Sequence, residues 1–198
     1  MMKLLYTTRS PYARKVRIFA LEKNIDLDLV PEDLTAKSET LLKNNPSGKV
    51  PTLILENGQA LADSAVICEY LEYLKPEPRL IPTDPEKRFQ ILHMDAVAKG
   101  MTDVTVSVFY ERFLHKDNAH KPFLESRKKI IHDCLSFFEN RLPHLEELHA
   151  ASINLACGIG YLEFRFADFG FRQQFPAIMT WYDKFIQRPS LKKTIPVE

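Results

Sequence analysis

Three short stretches near the N-terminus put chemically capable side chains at the starts of structural elements. Ser10 directly precedes Pro11, and Val16, Phe19 and Ala20 follow at helical spacing. A serine there caps a helix whose first residue is proline. The same hydroxyl, beside backbone N–H groups at the positive helix end, can point at a ligand thiolate. Spacing alone leaves both readings open. In the second stretch, Lys49-Val50-Pro51-Thr52, proline opens an apolar run from Val50 to Leu55. Proline at a strand start removes a ladder hydrogen bond. A cis Val50-Pro51 bond would turn the Val50 backbone outward to pair with an extended peptide. An ordinary trans bond has the better base rate, since cis is only ~5–6% of X–Pro bonds. In the third stretch, Asp63-Ser64 opens another helical pattern. It reads either as a plain N-cap or as a clamp for an α-amino acid end, with Ser64 and the helix start holding a carboxylate and Asp63 holding an ammonium.

One molecule satisfies all three stretches: an α-amino acid head, a peptide middle and a thiol, which describes glutathione. The residue type at position 10 then decides the chemistry. A cysteine would form a mixed disulfide; Ser10 can only donate to the thiolate and lower a thiol pKa from ~8.5. Tyr6, on the first strand, is a rival hydroxyl, although a tyrosine in a strand is more often packed.

Other chemistries find little support. Lys and Arg number 27 against 26 Asp and Glu, so there is no electrostatic case for nucleic acid or an acidic membrane. Cys68, Cys134 and Cys157 are odd in number and far apart, which fits a reducing compartment and small packed side chains. His115 and His120, like His144 and His149, are five apart and do not stack on a helix face; they read as exposed, and no metal site is expected. HExxH and GxSxG are absent, and Gly158-Ile159-Gly160 lies in a helical pattern that suggests close helix packing. The longest charge-free stretch in the C-terminal half, Leu148 to Leu162, is shorter than the ~20 residues of a membrane span. The N-terminus has no signal-peptide core, so the expected location is cytoplasmic.

The elements carrying these residues follow two grammars. Residues 1–75 alternate strand and helix signals in the order β-α-β-α-β-β-α, with Asn57-Gly58 read as a two-residue hairpin turn. Residues 76–85 contain Pro76, Pro78, Pro82 and Pro85 and read as a stiff linker. Residues 86–198 carry only helical signals, including a long pattern from Asp84 to about Leu114 and a stretch from Ser152 to Phe166 that is apolar almost all round. The expectation is a small α/β domain followed by an all-α domain.

The stretches Ser10-Pro11-Tyr12-Ala13-Arg14-Lys15-Val16, Asn45 to Leu53 and Asp63 to Leu71, in this order, resemble the glutathione S-transferase family. Gly100-Met101-Thr102-Asp103 and Ala156 to Arg165 resemble a bacterial, YibF-like branch of it. The resemblance implies a thioredoxin-like N-terminal domain, an all-helical C-terminal domain and a homodimer. It implies transfer of the glutathione thiolate to a small hydrophobic electrophile in detoxification, with glutathione as co-substrate and no metal. By position, Ser10 resembles the serine that hydrogen-bonds the sulfur. Val50 resembles the residue pairing with the cysteinyl backbone before a cis Pro51, and Asp63 and Ser64 the γ-glutamyl clamp. Lys49 is assigned to the glycine carboxylate, with Arg14 and Lys37 as rivals; all three also fit solvated surface charges. The electrophile is expected where the domains meet, near Tyr12, Asp103, Ser107 and Tyr110. His149 and Ser152 stand where many members have a Ser/Thr-x-x-Asp capping box, so that box looks absent. A non-catalytic binding or regulatory protein of this fold, such as an RNA-polymerase-associated type, and a glutathione peroxidase are the alternatives.

Overall fold

The computed structural model describes residues 1–197. It divides them into two compact units, residues 1–81 with 188 onward, and residues 82–187. The first unit contains β1 (Lys3–Tyr6), α1 (Pro11–Glu22), β2 (Asp28–Pro31), α2 (Glu39–Asn44), β3 (Thr52–Ile54), β4 (Ala60–Leu61) and α3 (Ser64–Leu74). The second contains α4 (Pro85–His115), α5 (Lys121–Glu139), α6 (Ala150–Phe166), α7 (Phe171–Gln174) and α8 (Pro176–Phe185). The last helix, α9 (Pro189–Lys192), returns to the first unit. Its helical grammar had grouped it with the rest of residues 86–198. It joins the first unit because α9 packs on α1, with Arg14 and Arg17 donating to the carbonyls of Leu191 and Lys193.

The sheet order is β2-β1-β3-β4, with β1 parallel to β2 and antiparallel to β3, and β3 antiparallel to β4. The turn joining β3 to β4 differs from the two-residue expectation. Leu55 N donates to Gln59 O and Gly58 N to Leu55 O, so the loop is Glu56-Asn57-Gly58. Gly58 takes the left-handed conformation, at φ +83, and Asn57 does not. A three-residue loop with a left-handed glycine matches strand twist as well as the shorter turn would. Leu4, Leu5, Val16, Phe19, Leu53, Ile67 and Leu71 form the buried centre of this unit.

In the second unit, α4 buries Ile91, Met94, Ala98, Met101, Thr105 and Val108, a 3-4-3-4-3 spacing that keeps one seam inward. That seam meets α6, which is buried continuously from Ala150 to Leu162. Gly158 makes the close approach possible: a Cβ there would lie 2.7 Å from Thr102 Oγ1 and 2.9 Å from Met101 Cε. Asn154 Nδ2 donates to both Asp95 O and Asp95 Oδ1 at 3.0 Å, satisfying a buried polar pair.

The start of α6 corrects two expectations. His149 is buried, not exposed, and it closes a capping box with Ser152. Its Nδ1 accepts from Ser152 N at 3.1 Å, and Ser152 Oγ accepts from His149 N at 3.0 Å. A neutral imidazole nitrogen thus performs the acceptor role usually given to serine or threonine. Nε2 donates to His144 O at 2.7 Å, which assigns the tautomer.

Candidate glutathione site

Sheet register brings the three N-terminal stretches to one end of the first unit. Leu5, near the end of β1, pairs with Thr52 at the start of β3, and Leu61, at the end of β4, pairs with Leu53. The chain therefore leaves β1 toward Ser10, enters β3 from Val50 and leaves β4 toward Asp63 at the same edge.

Ser10 is the N-cap of α1, with extended backbone, and its Oγ accepts from Ala13 N at 3.2 Å. This contact uses an oxygen lone pair and leaves the hydroxyl proton to be donated elsewhere. Capping and donation to a ligand are therefore compatible in one side chain. Tyr6 is half-buried with the Arg17 guanidinium 5.0 Å from its ring centroid, the packed role of a strand tyrosine.

The loop before β3 is held by a residue whose role the sequence did not reveal. Asn45 is buried; its Nδ2 donates to Lys49 O at 2.9 Å and Thr52 Oγ1 at 3.1 Å, and its Oδ1 accepts from Ser47 N and Oγ. The asparagine stood inside Asn45-Pro46-Ser47-Gly48, but its partners are set only once the loop closes. The Val50-Pro51 bond is cis, and the Val50 side chain packs with Leu5 and Leu41. Gly48, at φ +60, lies directly under Lys37: a Cβ on it would meet Lys37 Nζ at 2.8 Å and Cδ at 2.9 Å. Lys37 and Lys49 are both exposed. Arg14, the third candidate base, is not a surface charge. It is 2% exposed and directed to the Leu191 carbonyl, because it lies on the face of α1 that α9 covers.

Asp63 caps α3, its Oδ1 accepting from Ala65 N at 2.8 Å and from Ser64 Oγ at 3.3 Å. Asp63 is exposed while Ser64 is 3% exposed. An acid and a hydroxyl are thus fixed together at a helix start, where the backbone favours negative charge.

Of the residues expected near the electrophile, Tyr12 lies on α1, two positions past Ser10. Asp103, Ser107 and Tyr110 share one face of α4 at spacing i, i+4, i+7. Asp103 pairs with Lys99 at 3.1 Å, Ser107 Oγ donates to Val104 O at 2.7 Å, and Tyr110 is half exposed with its ring edge-on to Phe109.

Among the described residues, no group of three or more His, Cys, Asp and Glu could hold a metal ion, and no helix is long and apolar enough to cross a membrane. All three cysteines are free thiols. Burial and then the Asp133 charge push the Cys134 thiol up, away from nucleophilic use.

The sheet, the helical unit and the serine-capped α1 define a protein of glutathione-transferase architecture, and comparison with known proteins agrees. The model of the glutathione S-transferase N-terminal domain matches residues 4–79. The chain is 30% identical, over 98% of both chains, to YibF, an uncharacterised GST-like protein of Escherichia coli (strain K12). It belongs to the glutathione S-transferase family. A glutathione transferase family member from Pseudomonas fluorescens Pf-5, solved with bound glutathione, is 34% identical with a TM-score of 0.92 over 100% of both chains. A glutathione S-transferase from Methylobacillus flagellatus KT, solved with glutathione bound, is 36% identical with a TM-score of 0.93, also over 100% of both.

Proposed function

We propose that this protein is a cytoplasmic glutathione transferase with serine-type thiol activation. The carrying observation is Ser10: a hydroxyl at the α1 N-cap whose oxygen is engaged by Ala13 N and whose proton is available to a thiolate. Support comes from whole-length relatives that hold glutathione. In this reading Asp63 and Ser64 grip the γ-glutamyl end, and the Val50 backbone pairs with the cysteinyl unit before the cis Pro51. Lys37 and Lys49 flank the glycine carboxylate. Lys37 is the stronger partner, since Gly48 seats its stem over the loop that carries Val50.

The thiol gives up its proton to solvent water as Ser10 and the helix start favour the anion. The sulfur then forms a bond to an electrophilic carbon, and the leaving group departs with the bonding pair; with an activated double bond, a proton is taken up instead. Tyr12, Asp103, Ser107 and Tyr110 are assigned to the small hydrophobic electrophile. A homodimer is part of this reading, supported by the exposed Val66, Tyr73 and Leu74 on α3. Detoxification is the corresponding role.

Turnover with a panel of electrophiles and hydroperoxides, alongside calorimetry of glutathione binding, tests the proposal. Conjugates formed by the parent and lost in Ser10→Ala support it. Hydroperoxide reduction alone would make it a peroxidase. Binding with no turnover would make it a regulatory or binding protein of this fold.

A further inference from the structure

Arg14 lies one helical turn beyond Ser10, its backbone N–H donating to the Ser10 carbonyl at 3.0 Å. Nη2 reaches only the Leu191 carbonyl, at 3.4 Å, and Nε and Nη1 have no hydrogen-bond partner among the described residues. Nor does a carboxylate pair with this guanidinium among them. On α1 and the elements packed against it, Glu22 is taken by Arg188 and Ser190, and Glu72 by Lys23; Glu69 on α3 is engaged as well. The other charged groups here are cations: Lys15, which is buried and has a partner of its own, and Arg17 on α1, with Lys192 and Lys193 on the returning C-terminal segment. The neutral titratable groups on these elements are Tyr6 on β1, which stacks under Arg17, Tyr12 on α1, and Cys68, Tyr70 and Tyr73 on α3. Burial holds Arg17 below its ordinary value, and the Arg14 charge adds to that effect.

A guanidinium has no neutral form to retreat to. Buried with no counter-charge among the described residues, it is costly to maintain, unless an anion arrives to use its field. The anion expected at this end of α1 is the glutathione sulfur beside Ser10. We propose that Arg14 is the fixed counter-charge of the bound thiolate, a positioning residue that favours ionised sulfur from behind the Ser10 cap without touching it. This rests on the glutathione reading above and adds a second activating group to it. The C-terminal segment fixes the guanidinium: Thr8 Oγ1 donates to Val197 O, Arg14 to Leu191 O and Arg17 to Lys193 O, so the segment lies against α1 and the turn before it. Over the roughly 10 Å that one helical turn and two side chains span, a unit charge at an effective dielectric near ~20 shifts a thiol by about one pH unit.

The test follows ultraviolet absorbance of bound thiolate against pH in the parent, Arg14→Gln, Arg14→Lys and Ser10→Ala, with affinity for S-methylglutathione as the charge-free control. Arg14→Gln is expected to raise the bound thiol pKa by about one unit, with S-methylglutathione affinity held within about twofold. Arg14→Lys, which keeps the charge, should restore most of the shift. A residue that only packs would weaken both ligands equally and leave the pKa in place, and that result overturns the proposal. Should Arg14→Gln not fold, Ser10→Ala decides. With Arg14 intact, its bound thiol must still titrate below free glutathione, and titration at the free value overturns the proposal. Failure of the parent to bind glutathione overturns the functional reading and this inference together. Binding with an unshifted Arg14→Gln titration overturns this inference alone.

Discussion

Lys23 Nζ lies 2.8 Å from Glu72 Oε2, and both side chains are buried. The other two ammonium donors reach Lys75 O and Pro78 O, each at 2.8 Å. Glu72 in turn accepts from Leu80 N. One cation therefore joins the end of α1 to α3 and to the chain that follows it. Breaking a buried pair strands the surviving charge, which costs about 3–5 kcal/mol. Lys23→Met is expected to destabilise by that amount in urea unfolding. Lys23→Met with Glu72→Met should cost clearly less than the sum of the single changes, because neither charge is then stranded.

The His149 cap makes α6 sensitive to acid. Burial holds this imidazole below its ordinary 6.5, outweighing the pull of the His144 carbonyl, Glu147 and Asp95. The unfolded chain therefore takes up the proton more readily than the folded one. The contribution of the neutral cap is complete above about pH 6.5 and is lost as pH falls through the lower folded value. Protonation also places a hydrogen on Nδ1, the atom that accepts from Ser152 N. His149→Ser should keep the cap and flatten the melting temperature between pH 5 and 7 relative to the parent. His149→Ala should cost about 1 kcal/mol at pH 8. An unchanged pH slope in His149→Ser would assign the acid sensitivity elsewhere.

Gly158 is where α4 and α6 come closest. Gly158→Ala gains about 1 kcal/mol of helix propensity but drives its methyl into Thr102 Oγ1 and Met101 Cε. Overpacking a buried seam costs about 1–3 kcal/mol, so a net loss is expected in urea unfolding. Thr102→Ala in the same chain should recover part of it, since Met101 ends in a flexible methyl that can turn away.

The framework of the candidate site was legible in the sequence where it depends on local rules. Ser10 before Pro11, and Asp63 before Ser64, announce helix starts whatever else surrounds them, and the glycine pair in α6 announces a close approach. What depended on the distant chain was not legible. Arg14 and Lys23 look like solvated charges on a helix, and only the return of residues 188 onward and the chain after α3 bury them. His149 was read as exposed because its five-residue spacing from His144 does not stack on a helix face; its burial comes from capping α6, which that spacing does not reveal. Asn57-Gly58 promised a two-residue turn, yet β3 ends early enough that Glu56 joins the loop.

Lys37 offers a test at the other end of the proposed ligand. Its stem rests on Gly48, so two changes should act alike. Lys37→Ala removes the cation. Gly48→Ala displaces it and adds strain at a left-handed position. Each should weaken glutathione binding in calorimetry by about 1.5–3 kcal/mol, the worth of a charge-assisted hydrogen bond. The same loss should be absent for glutathione lacking its glycine unit, and a loss that persists with that truncated ligand would take Lys37 out of the carboxylate role.

Asp63 carries two roles that a single substitution can separate. As N-cap of α3 it accepts from Ala65 N, and as the proposed clamp it supplies negative charge to an ammonium. Asparagine caps a helix as well as aspartate does but carries no charge. Asp63→Asn should therefore leave the urea midpoint near that of the parent while glutathione affinity falls by about 1.5–3 kcal/mol, roughly ten- to a hundredfold. Asp63→Ala should lose that affinity and about 1 kcal/mol of stability as well. The affinity loss should also disappear for a ligand without the α-ammonium, because no partner remains for the carboxylate. Parent-like glutathione binding in Asp63→Asn would reduce Asp63 to its cap and leave the γ-glutamyl end to Ser64 and the start of α3.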